Sequence, residues 1–428
     1  MRTTRLFRSL AVAAAAAILA TSVSPAVAPL TAGEAAAEPT VVPTHSSAPP
    51  APADCPQRVG TPPPIDESEV VPAGRPTPTP LPVPEPPMGG DRLAACGVIA
   101  EPDAGPTPAG LTSKAWLIAD LESGDIIAAR DPHGRYRPAS TIKVLLALVA
   151  LEKLDLTEPV VATVNDWSME GDACGMGPDG TYTVEDMITG LLVVSGNDCA
   201  NALARMLGGY DQTLEQMNHK AQSLGALDTR AATPSGLDAA GMSTSAYDLA
   251  VIFRAAMAND EFARMIALPN YRFPGYPPRK DVPGDEDHPA YLMGTSNTLL
   301  RDGVPGMTVL GGKTGYTDDA RKTFVGAAEK DGRKLVIVQL DGLGVENDTY
   351  HQQAVRMFEY GFAAPASTSI GSLNNRLADR SGAGILAPSG ADSLAMGALP
   401  LILLAATLLT MAALVVLFLR RRRRYRRR

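Results

Sequence analysis

Apolar positions along the chain fall into blocks whose period changes twice between residues 111 and 362. Residues 115–120 and 126–130 are short apolar runs joined through Glu122-Ser123-Gly124-Asp125, and they predict a strand pair. Residues 323–329 and 334–340 repeat the pattern around Asp331-Gly332 and predict a second hairpin. Between these pairs the period becomes helical. The run 144–151 is too apolar for anything but a buried helix, and 184–194 predicts another, started by Thr183 with Glu185 and Asp186 in its first turn. Further helices are expected over 213–223, 246–257 and 351–360. Strands early and late with helices between them predict one sheet built from both ends of the segment, with a helical insertion. Antiparallel hairpins at both ends place it in the α+β class.

Outside this segment the pattern is different. Residues 1–37 begin with Arg2, Arg5 and Arg8, continue with an apolar run over 10–20 and end in small residues, which reads as a secretory signal cleaved after residue 28 or 37. Pro29 disfavours the first site. The alternative is an uncleaved anchor, for which the apolar run is short. Residues 38–110 are rich in proline, with an alternating stretch over 76–87 that should be extended polyproline II, and we read them as an extracellular spacer. Residues 363–396, rich in Ser, Ala and Gly, read as a second flexible linker. The run 397–419 carries no charge and is long enough to cross a bilayer as a helix, and the tail 420–428 holds eight arginines. After an apolar span such a tail reads as a positive-inside signal, leaving the tail cytoplasmic and the 111–362 domain outside.

The charge balance supports that division. Setting aside the eight arginines of the tail and the three of the N-terminus takes the formal net charge from −8 to −19, which argues against a nucleic-acid partner on electrostatic grounds. All four cysteines, Cys55, Cys96, Cys174 and Cys199, lie in the part read as exported, where disulfides persist. Three pairings are possible. We expect Cys174 with Cys199, beside the Ser195 turn, and Cys55 with Cys96 across the proline segment; the alternative leaves Cys199 a buried thiol. The five histidines are scattered and resemble no zinc site, so neither metal nor cofactor is expected.

The candidate chemistry sits at three short motifs in one order: Ser140-Thr141-Ile142-Lys143, Ser195-Gly196-Asn197 and Lys313-Thr314-Gly315. The first motif is expected to open the 144–151 helix, with Ser140 at its N-terminal end after Pro138; residues three apart on a helix lie roughly 5 to 6 Å apart at Cβ, so the Lys143 amine can reach the Ser140 hydroxyl. Ser140 is the candidate nucleophile. For Lys143 to act as its base, an amine whose ordinary pKa is about 10.4 must be neutral near pH 7, which takes about 4 kcal/mol from burial and a second cation. Lys313 can be that cation. Ser195 and Asn197 fall at a predicted break between two helices, a good place to aim side chains into a cleft. Lys313 and Thr314 follow a strand-like run and offer a cation and a hydroxyl to a terminal carboxylate, while Gly311, Gly312 and Gly315 clear space along the strand edge. Each motif alone is more often an ordinary cap, loop or strand end; order and context together reverse that.

With Arg137-Pro138-Ala139-Ser140, the string 190–198, Ser235-Gly236-Leu237-Asp238, Lys313-Thr314-Gly315-Tyr316-Thr317 and Thr323-Phe324-Val325, the chain resembles the serine D-alanyl-D-alanine carboxypeptidases, the low-molecular-mass penicillin-binding proteins, over 111–362. The resemblance implies a DD-peptidase/β-lactamase-like fold, an antiparallel sheet flanked by helices plus an all-helical lobe. It makes Ser140 the acylated residue, Lys143 its base, and Ser195 and Asn197 a proton relay. Lys313, Thr314, Gly315 and Tyr316 would bind substrate, with the Ser140 and Tyr316 amides as oxyanion hole. Peptidoglycan stem peptides are the implied substrate and β-lactams the implied covalent inhibitors. Several family members carry a basic residue in the turn before the domain's last helix, where this chain has Asp348-Thr349-Tyr350, and the better-known members continue into a β-rich domain where a linker is read here. Rival readings are an endopeptidase or transpeptidase with the same motifs, a β-lactamase, for which no Glu-x-x-Leu-Asn follows Ser195, and a non-catalytic receptor for wall peptides.

Overall fold

A computed structural model of the chain describes residues 55–345 and 348–374. The signal read at 1–37, the later part of the 363–396 linker, the span at 397–419 and the arginine tail lie outside the described residues. Among the described residues no helix is long and apolar enough to cross a membrane.

In chain order come strands β1 (Val98–Ala100), β2 (Ala115–Asp120) and β3 (Asp125–Arg130), then helix α1 (Lys143–Lys153). The helical lobe follows with β4 (Pro159–Val161), α2 (Val164–Trp167), β5 (Thr181–Thr183), α3 (Val184–Val193), α4 (Asn197–Met206), α5 (Tyr210–Ser223), α6 (Ala246–Met257) and α7 (Asp260–Ile266). Strands β6 (Asn270–Phe273) and β7 (Tyr291–Gly294) and helix α8 (Thr298–Asp302) lead to the long strands β8 (Thr308–Thr317), β9 (Arg321–Lys330) and β10 (Arg333–Gly342). Helix α9 (Tyr350–Ala363) and strand β11 (Gly371–Ser372) complete the described part. The main sheet runs β1-β3-β2-β10-β9-β8, all neighbours antiparallel, with β11 also on β3. The expected sheet from both chain ends is thus present, and β8 is its edge.

Side-chain alternation divides the core. Leu117, Ala119, Val336 and Val338 pack toward α1, α3 and α6, while Trp116, Ile118, Leu335 and Ile337 pack beneath α9. Helix α1 is central to the first core; its residues 143–150 are all buried, each large apolar one worth about 1.5 to 3 kcal/mol relative to exposure. Thr183 caps α3 as expected, in a reciprocal box with Asp186.

Three expectations need correction. Helix α1 does not begin at Ser140: a single 3-10 turn, Ala139–Ile142, carries the serine and hands over to α1 at Lys143. The second linker does not begin at 363, because α9 runs to Ala363, β11 pairs with β3, and Ile370 and Leu373 are buried. Most of all, residues 55–110 are not a free spacer from Cys55 onward. They form a strap tied to the domain. Leu93 and Met88 are buried in the main core, β1 extends the sheet, and Cys55 is bonded to Cys96.

The strap holds the segment that leads into Ser140. Alternate residues of that segment, His133, Arg135 and Arg137, each meet it. His133 Nε2 lies 2.9 Å from the Met88 carbonyl, the Arg135 guanidinium donates to the carbonyls of Val59 (3.1 Å), Leu81 (2.8 Å) and Pro82 (2.7 Å), and Arg137 pairs with Glu69. Proline has no N–H to give but keeps its carbonyl, so a proline-rich strap can accept bonds that an apolar pattern does not reveal. Both His133 nitrogens face acceptors, the other being Asp228 at 2.9 Å. Burial opposes the charge, yet Asp228, Asp248 and the Met88 carbonyl together outweigh it and raise the imidazole pKa. Because Arg135 is buried and also pairs with Asp228 at 3.1 Å, Arg135→Ala should cost about 3 to 5 kcal/mol of stability in urea unfolding. A loss below about 0.5 kcal/mol, ordinary for a surface residue, would show that the strap merely rests on the domain.

Candidate active site

Two strained turns deliver the serines. Ala139, just before Ser140, has φ 48°, and Ser195, between α3 and α4, has φ 68°; both lie in the left-handed region that costs a non-glycine residue about 1 to 2 kcal/mol. Bare backbone packs against the first turn. A Cβ at Gly236 would collide with the Ala139 carbonyl, and one at Gly315 would come within 2.9 Å of the Ser140 nitrogen, so glycine at both positions lets β8 and the 235–238 turn close on Ser140. Thr323 on β9 anchors that turn through a 2.8 Å bond to the Pro138 carbonyl.

Lys143 is fully buried beneath Ser140, and its amine is held by three oxygens. The amine lies 2.7 Å from Asn197 Oδ1, 2.7 Å from the Ser235 carbonyl and 2.7 Å from Ser140 Oγ. A neutral amine has two hydrogens and one lone pair. The first two partners only accept, so they take the hydrogens and the lone pair is left for the Ser140 hydroxyl. Burial, then the nearby Lys313 charge, holds the Lys143 pKa well below its ordinary value, as the sequence argument required. Lys313 is buried too; burial lowers its pKa to about 7, with Asp172 opposing, and its amine donates to the Thr314 carbonyl at 2.6 Å.

Ser195 is buried with its hydroxyl unpartnered among the described residues. Asn197 is fixed on both sides: its backbone N–H donates to the Asp172 carbonyl at 2.6 Å and its amide nitrogen to the Glu170 carbonyl at 2.6 Å. Thr314 Oγ1 lies 3.0 Å from Ser296 Oγ at the β8 edge, and Tyr316 is largely exposed at the rim. The candidate residues Ser140, Lys143 and Asn197 are therefore in direct contact, Lys313 close enough to perturb the amine, and Gly315 against the turn. Cys174 is bonded to Cys199, which ties the 168–180 loop to α4; Asp198 gathers the amides of Cys174 (2.7 Å), Gly175 (3.0 Å) and Met176 (3.0 Å) from that loop. Sequence reasoning assigned no role to Ser235, Glu170, Asp172 or Asp198. Ser235, Glu170 and Asp172 each offer a main-chain carbonyl, which has no side-chain signature, and the Asp172 charge also acts on both lysines; Ser235 and Asp198 stood in strings already noted.

Residues 103–343 match the D-alanyl-D-alanine carboxypeptidase family, peptidase S11. The chain is 49% identical over 271 residues to D-alanyl-D-alanine carboxypeptidase DacB2 of Mycobacterium tuberculosis, spanning 63% of this chain and 88% of that protein. It is 31% identical over 246 residues to the carboxypeptidase DacD of Escherichia coli, spanning 54% of this chain but only 59% of that longer relative. A crystal structure of D-alanyl-D-alanine carboxypeptidase from M. tuberculosis H37Rv superposes with TM-score 0.58 at 47% identity, covering 64% of this chain and 99% of that one. The Streptomyces K15 DD-transpeptidase, solved as a single-site mutant, shares the fold alone, with TM-score 0.54 at 21% identity over 60% of this chain and all of that one.

Proposed function

Because the chain belongs to the D-alanyl-D-alanine carboxypeptidase family, peptidase S11, we propose that it removes the terminal D-alanine of peptidoglycan stem peptides through an acyl-enzyme on Ser140. The observation that supports this reading is the buried Lys143 amine 2.7 Å from Ser140 Oγ, with its pKa held well below its ordinary value by burial and then by Lys313, so that a neutral amine can turn its lone pair to the hydroxyl. In the first step the Ser140 proton passes to Lys143 Nζ as Oγ bonds to the carbonyl carbon of the penultimate D-alanine. The Ser140 and Tyr316 amides stabilise the oxyanion; one such donor is typically worth about 3 to 4 kcal/mol of barrier. As the C–N bond breaks, the departing amine takes a proton relayed from Lys143 through Ser195. With D-alanine gone, water loses a proton to Lys143 as its oxygen bonds to the ester carbon, and Ser140 Oγ leaves with that proton, freeing the shortened peptide as its acid. Asn197 holds Lys143 and the peptide backbone, and Lys313 and Thr314 receive the terminal carboxylate. We place this chemistry outside the cell membrane, with residues 397–419 as anchor and the arginine tail inside.

The test is product analysis. The purified full-length chain, incubated with a pentapeptide ending in two D-alanines, should release one D-alanine per peptide. Cross-linked dimers instead of free D-alanine would indicate transpeptidation. Intact cells should label at Ser140 with a β-lactam probe that cannot cross the membrane; labelling only after lysis would place the domain inside.

A further inference from the structure

The two main-chain amides assigned to the oxyanion hole come from elements far apart in the chain. Ser140 ends the segment that the strap meets, and Tyr316 lies three residues before Asp319, in the turn that joins β8 to β9. How closely those elements approach sets the separation of the amides: a Cβ at Gly315 would lie 2.9 Å from the Ser140 nitrogen. Ala139, with φ 48°, keeps its conformation only where its surroundings over-determine it.

One short stretch of the strap touches both elements. Asp66 Oδ1 accepts the Ser68 N–H at 2.8 Å, a turn that brings the Ile65 N–H and the Ser68 hydroxyl to one carboxylate, that of Asp319, at 2.6 and 3.4 Å. The next residue, Glu69, pairs with Arg137, three residues before Ser140. The two anchors thus stand three residues from the two amides. Apolar burial does not place this stretch: Ile65 is 71% and Val70 67% exposed, whereas Met88 and Leu93 further along the strap are in the core. Its polar contacts hold it.

The charges around the stretch close on Arg137, whose side chain is buried with Nη2 unpartnered among the described residues. Burial opposes the charge, but the bond and charge of Glu69, then the charges of Asp319 and Asp238, outweigh it and raise the guanidinium pKa. Asp238 accepts from Thr317 Oγ1 at 2.9 Å, so the end of β8 is also tied to the 235–238 turn that packs on Ala139.

We propose that residues 65–69 of the strap staple the oxyanion hole, with Glu69 and Asp319 as positioning residues that fix the Ser140 and Tyr316 amides relative to each other. The role rests on the carboxypeptidase reading, and each residue acts through the element it holds rather than on the substrate.

The test is single-turnover acylation of Ser140 in the full-length chain by an acyl-D-alanyl ester and by its thionoester, in which sulfur replaces the carbonyl oxygen. Sulfur is larger and a weaker acceptor, so a well-fitted hole favours the oxygen ester and a loosened one favours it less. In Asp319→Ala the maximal acylation rate with the ester should fall about tenfold, part of the roughly 10²- to 10³-fold that one lost donor costs, while the thionoester rate changes less than about twofold. Asp319→Asn, which keeps an oxygen for the Ile65 N–H, should restore most of the preference. Glu69→Ala should match Asp319→Ala, and the double variant should be no slower than either, because a staple released at one end is released altogether. Parallel loss on both esters would make the strap a structural support only, additive losses would make the two contacts independent, and an unchanged preference would detach the strap from the hole; each overturns the proposal. If Glu69→Ala, which leaves Arg137 buried and unpaired, does not fold, the two Asp319 variants decide alone. Release of D-alanine from the pentapeptide by the unmodified chain, scored separately, decides the carboxypeptidase reading itself.

Discussion

Replacing Lys143 with arginine or alanine should abolish acylation of Ser140, a fall of at least about 10²- to 10⁴-fold if only general-base catalysis is lost. Alanine removes the base. Arginine keeps length and charge but cannot release its proton at working pH, and its fork cannot present a lone pair to the serine. The pH dependence has a defined sign. The base works when neutral, so acylation should be lost as pH falls through the lowered Lys143 pKa and be full above it. Part of that lowering comes from the Lys313 charge, after burial. Lys313→Ala should therefore let the Lys143 pKa rise and move the acidic limb of the profile to higher pH, in addition to weakening carboxylate binding. Stopped-flow acylation by a chromogenic ester across pH measures both effects. Rapid acylation of Lys143→Arg near neutral pH would remove Lys143 from the role.

Much of this site was legible because its chemistry is local. Ser140 and Lys143 are one turn apart, the break at Ser195-Gly196 separates α3 from α4, and the two hairpins appear over nearly the expected residues. What escaped the sequence is what depends on main-chain groups or on register. Ala139 occupies a left-handed conformation that only glycine would have advertised. Ser235, Glu170 and Asp172 hold Lys143 and Asn197 by carbonyls that any residue could supply. The strap escaped because its prolines suppress the periodicity by which packed segments are recognised, even though Arg135 reads their carbonyls.

Penicillin should acylate Ser140 within the time of an ordinary assay and leave slowly, so that a stable mass increase appears on the peptide containing Ser140 and is absent in Ser140→Ala. The strained β-lactam amide occupies the place of the bond between the two D-alanines, and its carboxylate meets the same Lys313 and Thr314 groups. Attack therefore uses the same nucleophile, the same Lys143 lone pair and the same amides. Deacylation differs, because D-alanine departs and leaves room for water whereas the opened antibiotic remains attached and fills that room. A second base could still bring water from the other side. Glu170 and Asp172 meet Asn197 through their main-chain carbonyls, each at 2.6 Å, and no Glu-x-x-Leu-Asn follows Ser195 to supply such a base. The only amine bonded to Ser140 Oγ among the described residues is that of Lys143. Turnover of the adduct many times per second would show that another group activates water, and the hydrolytic step would then belong to a β-lactamase.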